Sequence, residues 1–328
     1  MRFLFRLILF VALVAAGVVA GTWWENRYFV APGPAAKQTI VFIKPGTALG
    51  GIAKQLTTER VVESEILFRA AVMRRQLAQK LRAGEYAFPA NASEAQVLEI
   101  LVKGQTIVHK LTIAEGLTSA MAMMIVANDP VLVGDTPTTP PEGSLLPETY
   151  LFERGTTRAE MLDRMHKAQA ALLMELWPKR KEGLPYTTQE EALKLASIVE
   201  KETGLAAERP RIAAVFVNRL KKGMRLESDP TIIYGLTKGA PLGHPLRQSE
   251  LATPNPYSTY QIDGLPPTAI CNPGRDAIAA VLNPPDSEDL FFVANGTGGH
   301  AFAKTNAEHA RNVAALRRLE REPAGNGS

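Results

Sequence analysis

Thr188-Gln-Glu-Glu-Ala-Leu-Lys-Leu-Ala-Ser-Ile-Val-Glu-Lys-Glu-Thr-Gly204 is the stretch on which the reading of this chain turns. Its apolar residues recur at helical spacing and Gly204 stands where a helix commonly stops, so the pattern predicts a helix over Thr188 to Gly204. At 3.6 residues per turn, Ala192, Leu195, Val199 and Glu202 fall in one stripe, flanked by Ile198 and Ala196. Glu200 projects more than about 90° from the centre of that stripe and points to a flank. A carboxylate set among Leu, Ile and Val loses solvation of its charged form, which raises its pKa toward that of a general acid working near neutral pH. The structural alternative is a residue of a frayed helix end or an ion pair, for which Lys201, Arg209 or Arg211 could supply the counter-charge. Helical spacing leaves both readings open.

Outward from this helix the pattern is mixed α+β. Helices are predicted from about Thr157 to Trp177, from Glu208 to Lys222 with Gly223 as the stop, and from about Asn306 to Arg321. After Gly223 the chain reads as an extended run, turns and the short strands of "FFVANGTGGHAFA". Nearer the N-terminus, "TIVFI", "AGEYAFP" and "IVHKLTI" carry strand signals. They alternate with helices, one of them capped by Ser64 and another starting at Ser93 and ending before Gly104. These form a small module over residues 38–114, with a larger domain over 115–321 and a disordered tail over 322–328.

The first residues set the compartment. From Leu7 to Trp24 the chain runs 18 residues without a charge, preceded by Arg2 and Arg6 and closed by Trp23 and Trp24. The expectation is a cytoplasmic tail (1–6), a single transmembrane helix (7–24) and a juxtamembrane linker (25–37), with the remainder outside the cytoplasmic membrane. A cleaved signal peptide ending near Val18 and Ala20 is the competing reading. The length of the run and the paired Trp favour an anchor.

Composition excludes several chemistries. The chain has 328 residues, 46% hydrophobic and 21% charged, with a formal charge of +4. No basic stripe interleaved with aromatics marks a nucleic-acid surface. One cysteine, Cys271, rules out an intrachain disulfide framework. The five histidines are scattered and HExxH is absent, so neither a metal nor another cofactor is expected. Lys201 lies four residues after Ser197, not the three of a Ser-x-x-Lys site, and no G-x-S-x-G elbow occurs.

"EGSLLPETYLF", "LASIVEKETG", "ERPRIAAVFVNRLKKGMRLESDPTIIYGL", "NPYSTYQIDGLPPTAICNPG" and "LFFVANGTGGHAFAKTNAEH" together resemble the YceG-like family of endolytic murein transglycosylases. "KPGTALGGIAKQL" is similar to the LysM-like module that precedes the catalytic domain there. The resemblance implies a carbon–oxygen lyase that cleaves the β-1,4 bond from N-acetylmuramic acid to N-acetylglucosamine inside peptidoglycan strands, leaving 1,6-anhydro ends. It implies Glu202, the second glutamate of "EKE", as the catalytic acid. It also suggests action on nascent strands near the membrane, beside the peptidoglycan-synthesising machinery. A non-catalytic peptidoglycan-binding envelope scaffold is the rival from another class, and a hydrolase is the narrower one.

Around Glu202, Glu227, Asp229, Thr231 and Tyr234 are candidate substrate contacts, with turn and cap as the structural alternative for Asp229-Pro-Thr. Asn255, Tyr257 and Tyr260 form a candidate sugar-facing loop. His300, at the end of the "GTGGH" turn, is a candidate orienting group, while Glu142 and Glu148 either line the cleft or cap local structure, the structural role being favoured.

Overall fold

The computed structural model describes residues 2–321, with side chains described from residue 6 on, residue 25 excepted. The expected tail 322–328 lies outside the described residues. The chain is mixed α+β and divides into two compact units, one of residues up to Lys110 with Leu151–Thr156, the other of Leu111–Tyr150 with Thr157 onward.

The first unit opens with α1 (Arg2–Val30), the one described helix long and apolar enough to cross a membrane. Leu7, Phe10, Leu13 and Val18 are exposed along it. The helix continues six residues beyond Trp24, into the stretch expected as linker. Tertiary contact explains the extension, because Phe29 is buried in the unit's core and the Arg75 guanidinium lies 3.8 Å from its ring centroid. β1 (Thr39–Ile43) pairs antiparallel with β2 (Gly84–Phe88), Thr39 opposite Phe88 and Ile43 opposite Gly84. Between them in the chain run α2 (Leu49–Thr58) and α3 (Glu65–Arg74), and α4 (Glu94–Lys103) follows β2. Val41, Ile43, Leu56, Phe68, Tyr86, Phe88 and Leu101 make the core. Ser64 caps α3. Ser93 closes a capping box with Gln96, and Gly104 takes the left-handed conformation that ends α4 (φ 65°).

β3 (Val108–Thr112) and β4 (Thr149–Glu153) form another two-stranded sheet. In the second unit, α5 (Ser119–Asn128), α6 (Arg158–Leu176), α7 (Gln189–Glu202) and α8 (Arg209–Lys221) are followed by α9 (Asp229–Thr237), α10 (Gln248–Ala252) and α11 (Arg275–Leu282). The hairpin of β5 (Phe291–Ala294) and β6 (His300–Ala303) precedes α12 (Asn306–Arg321). The core is built where α7, α8 and α11 meet, from Leu195, Ile198, Val199, Ile212, Phe216, Ile278 and Val281. α7 starts on a capping box between Thr188 and Glu191.

Several elements depart from the sequence reading, among them β4 and α10, which form where it gives no strand or helix. The run after Gly223, expected to be extended, is helical from Asp229, with Pro230 in the first turn where its missing N–H costs nothing. Burial of Thr231, Ile232 and Tyr234 overrides the weak helix preference of its β-branched residues. α11 was not anticipated either; its eight residues are too few for periodicity to stand out, yet five of them are buried.

Candidate active site

Glu202 is the last residue of α7, so its carboxyl projects from a rigid rod at the point where the chain leaves the core. The residue is half-buried, and its carboxyl pKa is raised from 4.5 to about 7. Desolvation is the main cause. The nearby Asp229 carboxylate pushes the same way, while the Ser228 hydrogen bond and the His300 ring pull down. None of the three cations weighed as counter-charges pairs with it. Arg209 pairs with Glu200 (2.9 Å) and Glu115 (3.1 Å), Arg211 pairs with Asp289 (2.8 Å), and Lys201 reaches the Gly116 carbonyl.

Glu200 corrects the helical projection in one respect. The flank to which it points is buried, with Gly274, just before α11, against its carboxylate. The carboxylate accepts from Arg209 and from the Gly274 N–H (2.9 Å). The two glutamates of "EKE" thus divide, Glu200 being an ion-pair partner inside the fold and Glu202 a carboxyl that no Lys or Arg among the described residues pairs.

The hydroxyl of Ser228 donates to Glu202 Oε1. Ser228 stands at the N-cap position of α9, yet its side chain makes no capping bond. Such a cap normally contributes about 1 kcal/mol, forgone here in favour of a bond to the acid. Asp229, the next residue, accepts from the Tyr260 hydroxyl at 2.8 Å. His300 on β6 is held by Glu208, whose carboxylate takes the His300 backbone N–H at 2.9 Å and its Nδ1 at 2.6 Å. Glu202, Ser228, Asp229, Tyr260 and His300 therefore form one polar cluster drawn from α7, α9, the loop after α10, and β6.

Other candidates have structural tasks. Thr231 has no exposed surface; its hydroxyl bonds the Ser228 carbonyl (2.6 Å) and Thr259 (3.0 Å), so it lies beneath the site and not against a ligand. Asn255 is also buried, donating to the Ile232 carbonyl and accepting from the Tyr257 N–H. Glu227 is exposed and paired with Arg219 at 2.8 Å, its φ of 54° turning the chain into α9. Tyr234 belongs to the core and stacks edge-on against Tyr257, its hydroxyl directed at Glu142. A cavity of about 430 Å³ is lined by Lys201, Pro230, Tyr234, Thr118 and Met121, immediate chain neighbours of Glu202 and Asp229 among them. A larger one, about 630 Å³, is lined by Arg211, Asp286 and Lys304 and includes none of the cluster.

Ser228 and Glu208 escaped the sequence reading. Ser228 had a signal, a hydroxyl residue immediately before Asp-Pro at a helix start, but that signal reads as a cap. Glu208 had none, since its partner lies 92 positions away. Among the described residues no group of His, Cys, Asp and Glu is arranged to hold a metal ion.

Comparison with known proteins agrees with this architecture. The YceG-like family profile matches residues 41–315, and the chain belongs to that family. It is 28% identical to an endolytic murein transglycosylase of Bacillus subtilis, over 89% of each chain. It is also 28% identical to an endolytic murein transglycosylase of Streptococcus pneumoniae, covering 95% of this chain and 64% of that longer one. A crystal structure of a YceG-like protein from Listeria monocytogenes superposes with a TM-score of 0.53 at 28% identity, covering 84% of this chain and 98% of the other.

Proposed function

We propose that this chain is a membrane-anchored peptidoglycan lytic transglycosylase that cuts within glycan strands at the bond from N-acetylmuramic acid to N-acetylglucosamine. The observation that carries the proposal is Glu202, a carboxyl held near neutral pKa at the end of α7 with a hydroxyl donor and no Lys or Arg partner among the described residues. Family membership and the names of the relatives support the substrate class.

In this reading protonated Glu202 donates to the glycosidic oxygen as the C1–O4 bond breaks. The muramyl 6-hydroxyl then attacks C1 of the oxocarbenium-like centre, forming the C1–O6 bond. Glu202, now a carboxylate, takes the hydroxyl proton and is restored. No water is consumed, so the second carboxylate of a hydrolase is not required. Asp229 is close enough to favour developing positive charge while Tyr260 holds its orientation. Tyr260 and Tyr257 offer faces for sugar packing, and His300, clamped by Glu208, orients the cluster's edge.

The finer features are part of the same proposal. α1 holds the chain in the inner membrane with its N-terminus in the cytoplasm, residues 38–114 serve as a LysM-like module, and residues 115–321 form the catalytic domain. The protein trims nascent strands beside the synthases. The test is incubation of the purified protein with isolated peptidoglycan and mass spectrometry of what is released. Anhydro ends formed by the wild type and lost in Glu202→Gln support the lyase. Products one water heavier indicate a hydrolase, and binding without new ends indicates a scaffold.

A further inference from the structure

We infer that Ser228 is a positioning residue for the acid: its hydroxyl, withdrawn from capping α9, pins Glu202 Oε1 and leaves Oε2 to carry the transferable proton. The inference rests on the lyase reading above and adds to it which oxygen does the work.

The geometry is over-determined. Ser228 is buried, and all of its polar groups are engaged, the carbonyl twice, since it also accepts the Thr231 N–H at 3.2 Å. Its N–H donates to Thr259 Oγ1 at 2.9 Å, and its carbonyl accepts the Thr231 hydroxyl at 2.6 Å. Thr231 and Thr259 are themselves buried and bonded to each other. The backbone on either side is also tied, since the Glu227 N–H donates to the Thr259 carbonyl at 3.1 Å. What remains is the hydroxyl, and its acceptor is Glu202 Oε1. A hydroxyl on a backbone held on both sides by Thr231 and Thr259 is a well-placed donor, which is what a carboxyl needs if its orientation is to survive loss and return of a proton.

The chemistry follows from donor and acceptor roles. An oxygen already accepting a hydrogen bond is the poorer site for the acidic proton, so the proton resides on Oε2. The same bond stabilises the carboxylate formed after donation. The groups facing Glu202 that also act on its charge are Asp229 on α9, Tyr260 in the following loop and His300 on β6. All three remain when Ser228 loses its hydroxyl.

The experiment is a pH profile of strand cleavage by the full-length protein in detergent, comparing wild type, S228A, S228T and E202Q. The expected results for S228A are a kcat about tenfold lower, a KM within about twofold, and a basic limb displaced upward by about half a pH unit or more, because a bond favouring the carboxylate has gone. S228T, which keeps the hydroxyl, restores the basic limb to its wild-type position. A lower kcat with an unmoved basic limb in S228A would overturn the inference, as would S228T matching S228A while both keep the wild-type melting temperature. Cleavage retained by E202Q would instead remove the lyase reading beneath it, and this inference with it.

Discussion

Replacing Glu202 by Gln changes stability in a pH-dependent way whose size follows from the site. In the folded protein this carboxyl has its pKa raised from 4.5 to about 7. The folded state therefore binds the proton more tightly than the unfolded chain does. Below about pH 4.5 both states are protonated and nothing is lost. As pH rises the unfolded state ionises first, so wild-type stability falls, and the loss is complete above about pH 7. At about 1.4 kcal/mol per unit the full penalty is about 3 kcal/mol. Between about pH 5 and about pH 8.5 it grows by about 2.5 kcal/mol. Gln keeps the shape and can still accept from Ser228, but it does not titrate. The variant is thus expected to gain about 2.5 kcal/mol relative to wild type across that interval. The assay is urea unfolding followed by Trp177, which packs against the core of the unit that holds Glu202, in a background with Trp23 and Trp24 changed to Phe. A gap between variant and wild type that stays constant from pH 5 to pH 8.5 would mean the carboxyl is not desolvated, and the acid assignment would lose its physical basis.

Other outcomes follow from the same structure. Cleavage by the wild type should fall above about pH 7 as the proton leaves Glu202, a decline read directly from initial rates of anhydro-end formation. Arg209→Met strands Glu200 as an unpaired buried carboxylate and should cost about 3–5 kcal/mol in urea unfolding, whereas a loss below about 1 kcal/mol would mean that the pair is not buried in solution. Gly235→Ala places a methyl group against the Asn255 side chain. It is expected to destabilise by about 1–3 kcal/mol, measured as a lowered melting temperature, with an unchanged value contradicting the packing of α9 on the loop after α10. Thr188→Ala removes one half of the α7 capping box and should cost about 1 kcal/mol while leaving the pH dependence of cleavage in place.

Much of the scaffold could be read from local pattern. The apolar run at the N-terminus, the helix starts at Ser64 and Ser93 and the stop at Gly223 depend on residues within about four positions of one another, the range over which helical hydrogen bonds and caps act. The stripe that carries Glu202 belongs to the same class of signal. α9 and α11 were missed because their local signals are weak and burial stabilises them. Thr231 and Asn255 looked like substrate contacts because polar residues near a suspected acid invite that reading. The structure shows their polar atoms engaged inside the fold.

By itself, then, the sequence determined the span of α7 and α8 to within a few residues, that α1 is apolar enough to cross a membrane, and that the two glutamates of "EKE" point in different directions from α7. Only the tertiary structure decided what each carboxyl meets. Arg209 went to Glu200 rather than Glu202, Ser228 turned from its own helix to an acid 26 positions earlier, and Glu208 clamped His300 from 92 positions away. The reason is physical: helix period and capping are properties of neighbours along the chain. Desolvation and the choice of hydrogen-bond partner depend on which distant segments pack together.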